Sequence, residues 1–141
     1  MTQPPIDLAP LRRALAMLDE AILFWHQQAA GSALKPHLRS AVIQSFEYSY
    51  ELSVRSLRRV LVERAQSAER VTDLGFNDLL RAGADAGFPV DPLRWRQWRE
   101  MRNATSHAYD EKTAQSVASE AAAFAREARM LLDGLEASVG R

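Results

Sequence analysis

The feature that most constrains the fold of this chain is a repeat of apolar residues at alternating spacings of three and four. In its first segment the repeat forms one stripe: Leu8, Leu11, Leu15, Leu18, Ile22, Trp25 and Ala29. Because an α-helix turns once every ~3.6 residues, this spacing places all of these side chains on one face. The segment is therefore predicted to be a long amphipathic helix that packs against other helices.

Two other segments carry stripes of the same kind. The second predicted helix has the stripe Ile43, Phe46, Tyr50, Val54, Leu57 and Leu61. The last predicted helix follows the capping residue Asp110 and has the stripe Val117, Ala121, Phe124, Ala128, Leu131 and Leu135. Gly31 and Pro36 separate the first two helices, since glycine suits a helix terminus and proline suits a first turn.

The residues between the second and last helices are less regular. Ala65 to Thr72 is polar and lacks a stripe, which predicts a loop. A weaker helix is predicted over about Asp73 to Ala86, because two glycines lower its propensity. Asp91 before Pro92 signals the start of a helix that runs to about Ser106. No segment alternates with period two, so the expected fold class is all-α: a five-helix antiparallel bundle.

Length and composition exclude several classes of protein. The chain of 141 residues is predicted to form a single domain, residues 1–141. Its formal net charge is zero, so any binding of nucleic acid requires a local basic patch. The absence of cysteine excludes disulfides and thiolate chemistry. The amino terminus lacks a signal-peptide pattern and no apolar run approaches the roughly 20 residues that span a bilayer, so we expect a cytoplasmic protein without membrane contact.

The pair Arg102 and His107 is the first candidate for chemistry. Five positions along an ideal helix turn it by about 140°, which directs the two side chains to different sides. They act on one phosphate only if the helix ends or distorts between them, or if a two-fold dimer brings two helix ends together. From spacing alone, the simpler interpretation is a histidine at a helix C-terminus, where the dipole favours a cation.

The segment "LRWRQWREMR" is the second candidate, because it places Arg96, Arg99 and Arg102 at successive spacings of three. Guanidinium groups bind phosphates in a bidentate manner and indoles stack on bases, a mixture that suits single-stranded RNA. Alternatively, Trp95 and Trp98 belong to the core of an amphipathic helix, which is the role we expect for Trp95. Exposed tryptophans among arginines would instead suit the anchors of a dimer interface.

The third candidate is the pair of carboxylates Glu47 and Glu51, which lie one helical turn apart in "FEYSYEL". They are able to pair with arginines of the fourth predicted helix or to bind a cation. The histidines His26 and His37 do not stand at a ligand spacing, so a metal site has little support. Since charged residues within helical bundles are usually paired, we expect salt bridges.

A resemblance extends these observations. The stretch "RNATSHAYD" resembles the R-x4-H-x-Y signature of HEPN-domain proteins, particularly the HepT-like toxins and the related nucleotidyltransferase substrate-binding proteins. The segment "IQSFEYSYELSVRSLRRVL" of the second helix is similar to the corresponding segment of that family, and the similarity extends from about Leu8 to Leu135. The resemblance implies a homodimeric helical bundle with the signature residues in a cleft at the dimer interface.

The resemblance also implies roles for single residues. His107 would act as general base or acid in metal-independent RNA cleavage without a cofactor, and Arg102 would hold the phosphate. Asn103 is a further polar contact to the RNA or nucleotide, beside Arg96 and Arg99. Tyr109 resembles the tyrosine that a partner nucleotidyltransferase, encoded alongside as an antitoxin, modifies with AMP. The open alternative is a non-catalytic subunit that binds the substrate of that nucleotidyltransferase.

Overall fold

The apolar stripes of the sequence become the buried faces of a helical bundle in the computed structural model, which describes residues 5–65 and 68–140. These ranges contain six α-helices, one 3-10 turn and no strand. The helices are α1 (Ala9–Gln27), α2 (Lys35–Arg64), α3 (Ala68–Thr72), α4 (Phe76–Asp85), α5 (Pro92–Ala104) and α6 (Glu111–Val139), and the 3-10 turn is Thr105–His107. The expected all-α helical bundle is confirmed.

Helices α2 and α6 run in the same direction. Near their amino ends, Arg39 of α2 donates to both carboxylate oxygens of Glu111 at 2.7 and 2.9 Å. Near their carboxyl ends, Arg64 donates to the hydroxyl of Ser138 at 3.2 Å. The intervening segment of α3, α4 and α5 therefore returns the chain from the end of α2 to the start of α6.

Helix α1 runs antiparallel to α6. Arg12, in the first turn of α1, pairs with Glu136 in the last turns of α6 at 2.8 Å. Further along α1, Asp19 accepts a hydrogen bond from Arg129 at 2.7 Å. These exposed pairs contribute modestly to stability, and the buried leucine stripe between the helices contributes most of it.

The core is centred on Phe124 of α6, which is completely buried. Its ring meets Phe46 of α2 at 4.9 Å between centroids, and meets Trp95 and Trp98 of α5 at 5.7 and 5.6 Å. All three contacts are edge-to-face, an arrangement that aromatic quadrupoles favour. This cluster fixes α5 against α2 and α6, and so fixes where α5 ends.

The helix-start signals were predicted correctly. The Asp91 side chain accepts from the backbone N–H of Leu93 at 3.0 Å and caps α5. The Asp110 side chain accepts from the backbone N–H of Thr113 at 3.2 Å and caps α6.

Close packing explains the glycine inside α4, because a Cβ on Gly83 would lie 3.0 Å from a methyl group of Val90 and 3.2 Å from Leu57.

The loop predicted for Ala65 to Thr72 is wrong over its second half, where α3 forms one turn of helix. Residues 66 and 67 of that segment lie outside the described residues. The turn lacks buried residues, so no stripe marks it in the sequence. The guanidinium of Arg58 lies within hydrogen-bond distance of three carbonyl oxygens that end α3 and follow it: Val71 at 3.0 Å, Thr72 at 3.3 Å and Leu74 at 2.8 Å.

None of the helices in the described ranges has the length and apolar character that crossing a membrane requires.

Candidate functional site

The α-helical geometry of α5 ends at Ala104 and continues as the 3-10 turn Thr105–His107. Two hydroxyl groups bond back to the helix at this point. Thr105 Oγ1 donates to the carbonyl of Arg102 at 2.6 Å, and Ser106 Oγ donates to the carbonyl of Asn103 at 2.9 Å. Such bonds compete with helix continuation. The change in helical geometry between Arg102 and His107, which the sequence required for a common site, is confirmed.

Arg102 faces α2, where the two predicted carboxylates lie. Its Nε and Nη2 donate to the same oxygen of Glu51, Oε1, at 3.2 and 2.8 Å. Oε2 of Glu47 lies 3.8 Å from Nη2, within ion-pair distance but outside hydrogen-bond distance. The expected salt bridges between this carboxylate pair and an arginine of α5 are confirmed.

The hydrogen bonds of Arg102 leave part of its guanidinium unused. Nη1 donates to Thr105 Oγ1 at 3.0 Å, in addition to the two bonds from Nε and Nη2 to Glu51. A guanidinium has five N–H donors, so one N–H on each terminal nitrogen has no hydrogen-bond partner among the described residues. The side chain is 29% exposed. Its hydrogen bond to Glu51 raises the pKa of Arg102 above the usual value of an arginine, so the group stays charged. The charged group is thus held in position by Glu51 and Thr105, with two N–H donors that these bonds do not use.

His107, the last residue of the 3-10 turn, lies against Tyr109, and both side chains are exposed. The Nδ1 atom of His107 is 3.5 Å from the phenol oxygen of Tyr109, and their ring centroids are 6.0 Å apart. Tyr109 is 85% exposed, whereas Tyr50, on the apolar stripe of α2, is 8% exposed. Tyr109 is therefore accessible to solvent, whereas Tyr50 is shielded within the core.

No hydrogen bond joins Arg102 to His107 within the described part of one protomer. The arginine is directed to α2, and the histidine contacts the tyrosine two residues later. The sequence left open two arrangements that could form a common site. The structure shows the first, because α5 ends between Arg102 and His107. The meeting of two helix ends across a dimer axis stays a prediction.

Arg96, Arg99 and Asn103 form an outward row on α5, and all three are exposed. Their spacings of three, four and seven place them on one face of an ideal helix, within about 60° of one another. Arg99 lies over the ring of Phe76 in α4, 4.8 Å from its centroid. The row is separate from Arg102, which turns inward to α2.

Trp95 and Trp98 are core residues, 1% and 2% exposed. The core interpretation is confirmed for Trp95 and extends to Trp98. Their alternative roles, stacking on bases or anchoring a dimer interface, are wrong because both indoles are enclosed within one protomer against Phe124.

Thr105 is the site residue that the sequence did not single out. It is 8% exposed, and its hydroxyl links the carbonyl of Arg102 to the guanidinium of the same residue. The signal in the sequence was a threonine three positions after an arginine at a predicted helix end.

Among residues 5–65 and 68–140, no group of three or more histidine, aspartate and glutamate side chains is arranged to hold a metal ion.

A groove of about 580 Å³ lies between α5 and α6, beside the site. Basic, acidic, polar and apolar side chains line it, including Arg94, Met101, Lys112, Ser116 and Glu120. Its volume lies in the range of roughly 300 to 1,000 Å³ that is typical of small-molecule sites.

Comparison with known proteins agrees with this fold. A family model described as "Nucleotidyltransferase substrate binding protein like" matches residues 6–137. A protein of Haemophilus influenzae named "Probable ribonuclease HepT" is 36% identical over 104 residues, which cover 74% of this chain and 71% of the relative.

A solved structure, also from Haemophilus influenzae, superimposes with a TM-score of 0.85 at 30% identity and covers 92% of this chain and 99% of its own. It is described as revealing the fold of a substrate binding domain of a nucleotidyltransferase. The matched region includes every helix of the bundle up to residue 137 of α6. The chain therefore belongs to the family described as nucleotidyltransferase substrate binding protein like, and it is a HepT-like member of that family.

Proposed function

We propose that this protein is a metal-independent endoribonuclease toxin, with Arg102 and His107 as its catalytic residues. One observation carries the proposal: the end of α5 holds an arginine with two unused donors and, five residues later, an exposed histidine. The relative named as a probable ribonuclease supports it. Both residue types match the needs of phosphodiester cleavage.

The reaction that fits these residues is internal transfer in RNA. The ribose 2′-oxygen attacks the adjacent phosphorus and loses its proton, while the bond from phosphorus to the 5′-oxygen breaks and that oxygen gains a proton. His107 takes the first proton or supplies the second. Arg102 directs its two unused N–H donors to the phosphate oxygens, where negative charge increases in the transition state. The products are a 2′,3′-cyclic phosphate and a 5′-hydroxyl.

The outward row of Arg96, Arg99 and Asn103 is proposed to bind the RNA or nucleotide next to the cleaved bond. Two guanidinium groups and an amide on one helix face supply donors at intervals along the helix. Because the tryptophans are buried, we expect contacts to phosphates rather than stacking on indoles to dominate binding.

The proposal includes the partners that the family resemblance implies. The protein acts in the cytoplasm as a homodimer, in which the end of α5 from each copy contributes to a shared cleft. A nucleotidyltransferase antitoxin silences it by transferring AMP to Tyr109. The family description supports an association with a nucleotidyltransferase, and the 85% exposure of Tyr109 supports access by a second enzyme.

A second candidate function is that of a non-catalytic subunit that binds the substrate of a nucleotidyltransferase. Two observations favour it: the name of the matching family and the groove of about 580 Å³ between α5 and α6. In this case Arg102 would bind a phosphate without cleaving it, and the protein would not affect growth in the absence of its partner.

The experiment incubates purified protein with single-stranded RNA in the presence of EDTA. We expect cleavage by the wild type, loss of cleavage in His107→Ala, and unchanged cleavage in the matched control His37→Ala, which removes another exposed histidine. Circular dichroism checks that helicity is unchanged. Absence of cleavage by the wild type, or equal cleavage by His107→Ala, rejects the nuclease and favours the substrate-binding subunit.

A further inference from the structure

We propose that Glu51 and Thr105 are positioning residues that hold the guanidinium of Arg102 so that its two unused N–H donors face a bound phosphate. The inference rests on the proposed function for its consequence in catalysis. Its structural part, the ordering of one guanidinium by two named side chains, stands independently.

Glu51 fixes one edge of the guanidinium. One carboxylate oxygen, Oε1, accepts from both Nε at 3.2 Å and Nη2 at 2.8 Å. Two bonds to one oxygen restrict rotation about the last side-chain bonds of Arg102, which a single contact would leave free. The carboxylate belongs to α2, a helix of 30 residues that the core holds in place, so it is a fixed reference for α5.

Thr105 fixes the opposite terminal nitrogen. Its hydroxyl proton points to the carbonyl oxygen of Arg102, at 2.6 Å, so its lone pairs are free to accept from Nη1 at 3.0 Å. The threonine is 8% exposed, and its β-branched side chain has few alternative rotamers. The 3-10 turn that carries His107 begins at this residue, so the same threonine joins the orientation of Arg102 to the start of that turn.

Orientation matters here because an arginine side chain loses conformational entropy when it binds in one geometry. A guanidinium that is already ordered does not incur this loss when the phosphate approaches. Displacement of a catalytic group by about 1 Å can lower a rate by about 100-fold. Because negative charge on the phosphate oxygens increases in the transition state, a misplaced guanidinium is expected to lower kcat more than it raises KM.

The test combines kinetics with NMR of the arginine side chains. In Glu51→Ala and in Thr105→Val we expect kcat for RNA cleavage to fall by about 10- to 100-fold, with KM changed less than about threefold. Glu51→Gln and Thr105→Ser each keep an acceptor oxygen, so both retain more activity than the corresponding variant without one. In the wild type we expect the Nε–Hε signal of Arg102 to show an ordered guanidinium. In Glu51→Ala we expect the same signal to show a mobile guanidinium.

The matched control is Glu127→Ala. It removes the partner of Arg94, another arginine of α5, whose Nε lies 3.2 Å from the Glu127 carboxylate; the side chains of both ion pairs are partly exposed. This control should leave both kcat and the Arg102 signal unchanged. A fall of kcat in Glu127→Ala equal to that in Glu51→Ala would show a general effect on α5 and overturn the inference.

Failure of the inference and failure of the proposed function are distinguishable. If the wild type does not cleave RNA, the nuclease proposal fails, and the NMR signal still decides whether Glu51 and Thr105 order the guanidinium. If the wild type cleaves RNA while Glu51→Ala keeps an ordered Arg102 and full kcat, the nuclease stands and the positioning role is rejected.

Discussion

In the turn between α5 and α6, the Nδ1 atom of His107 lies 3.5 Å from the phenol oxygen of Tyr109. That phenol oxygen is the atom to which a nucleotidyltransferase would attach AMP. The new phosphate would then be bonded to an atom that already neighbours the imidazole, and its negative charge would compete with RNA for the site. The pair connects the proposed chemistry with its proposed control.

The first prediction follows from this pair. Incubation with the cognate nucleotidyltransferase and ATP should add one AMP to Tyr109 and stop RNA cleavage, because the phosphate covers His107. Tyr109→Phe should escape modification. Tyr48→Phe is the matched control, since Tyr48 is also exposed, at 57%. This variant should still receive AMP on Tyr109, as the wild type does. Intact-mass and peptide mass spectrometry decide: AMP on Tyr48 alone, or no added mass, contradicts the prediction.

The second prediction concerns the outward row on α5. Arg96→Ala and Arg99→Ala should each weaken RNA binding, raising KM with little change in kcat, because each removes a contact to a neighbouring phosphate and not to the phosphate that reacts. For single-stranded RNA the slope of log affinity against log salt should become shallower by about 0.7 for each arginine. Arg126→Ala, which removes an exposed arginine of α6, is the control for net charge. An unchanged slope in both row variants would exclude the row from the interface.

The helices could be predicted from the sequence because their stripes are long. The stripes that contain Leu11, Phe46 and Phe124 each span several turns, and hydrophobic burial then determines both helix and face. Helix α3 could not be predicted in this way, because it is one turn without buried residues. The carbonyls that end α3 and follow it contact Arg58 of α2, and that contact between distant residues has no local signature.

The candidate site was predictable in its parts and less so in its arrangement. The pairing of Glu47 and Glu51 with an arginine of α5 followed from two carboxylates one turn apart. Spacing did not show which of the three arginines turns inward, since that depends on how Trp95 and Trp98 seat α5 on Phe124. The role of Thr105 depends on the change to 3-10 geometry, which poor helix formers indicate but do not determine.

The third prediction concerns the aromatic cluster. Phe124→Ala should lower the free energy of unfolding by about 3–5 kcal/mol, because it removes a buried ring that three other aromatic rings contact. Leu93→Ala is the control: Leu93 lies on α5 but is 59% exposed, so the change should stay within about 0.5 kcal/mol. Denaturant unfolding at one protein concentration measures both, and a loss below about 1 kcal/mol in Phe124→Ala would contradict this account of the core.

The fourth prediction is a dependence of stability on alkaline pH. Burial raises the pKa of Tyr50 to about 12, although Arg99 and Arg102 act in the opposite direction. An unfolded tyrosine titrates near pH ~10, so the stabilising effect of the neutral buried phenol is complete below that pH. This effect is lost as the pH rises toward the folded pKa, and by pH ~11 the loss is about 1 kcal/mol.

Tyr50→Phe should therefore lose less stability than the wild type between pH 9 and pH 11, values chosen to bracket the unfolded pKa of about 10. The exposed Tyr48 provides the control, since Tyr48→Phe should follow the wild type over the same interval. Denaturant unfolding at the two pH values measures the difference. Parallel losses in the wild type and Tyr50→Phe would show that burial of Tyr50 does not contribute to the pH dependence.

The most direct test of the central claim is the chemistry of the RNA ends produced in EDTA, determined by mass spectrometry of the fragments. Because the proposed nucleophile is the 2′-hydroxyl of the RNA itself, we expect fragments that end in a 2′,3′-cyclic phosphate and begin with a 5′-hydroxyl. A single 2′-deoxy substitution at the cleaved nucleotide should abolish cleavage at that position. Fragments with 3′-hydroxyl and 5′-phosphate ends, or cleavage next to the deoxy sugar, would contradict it.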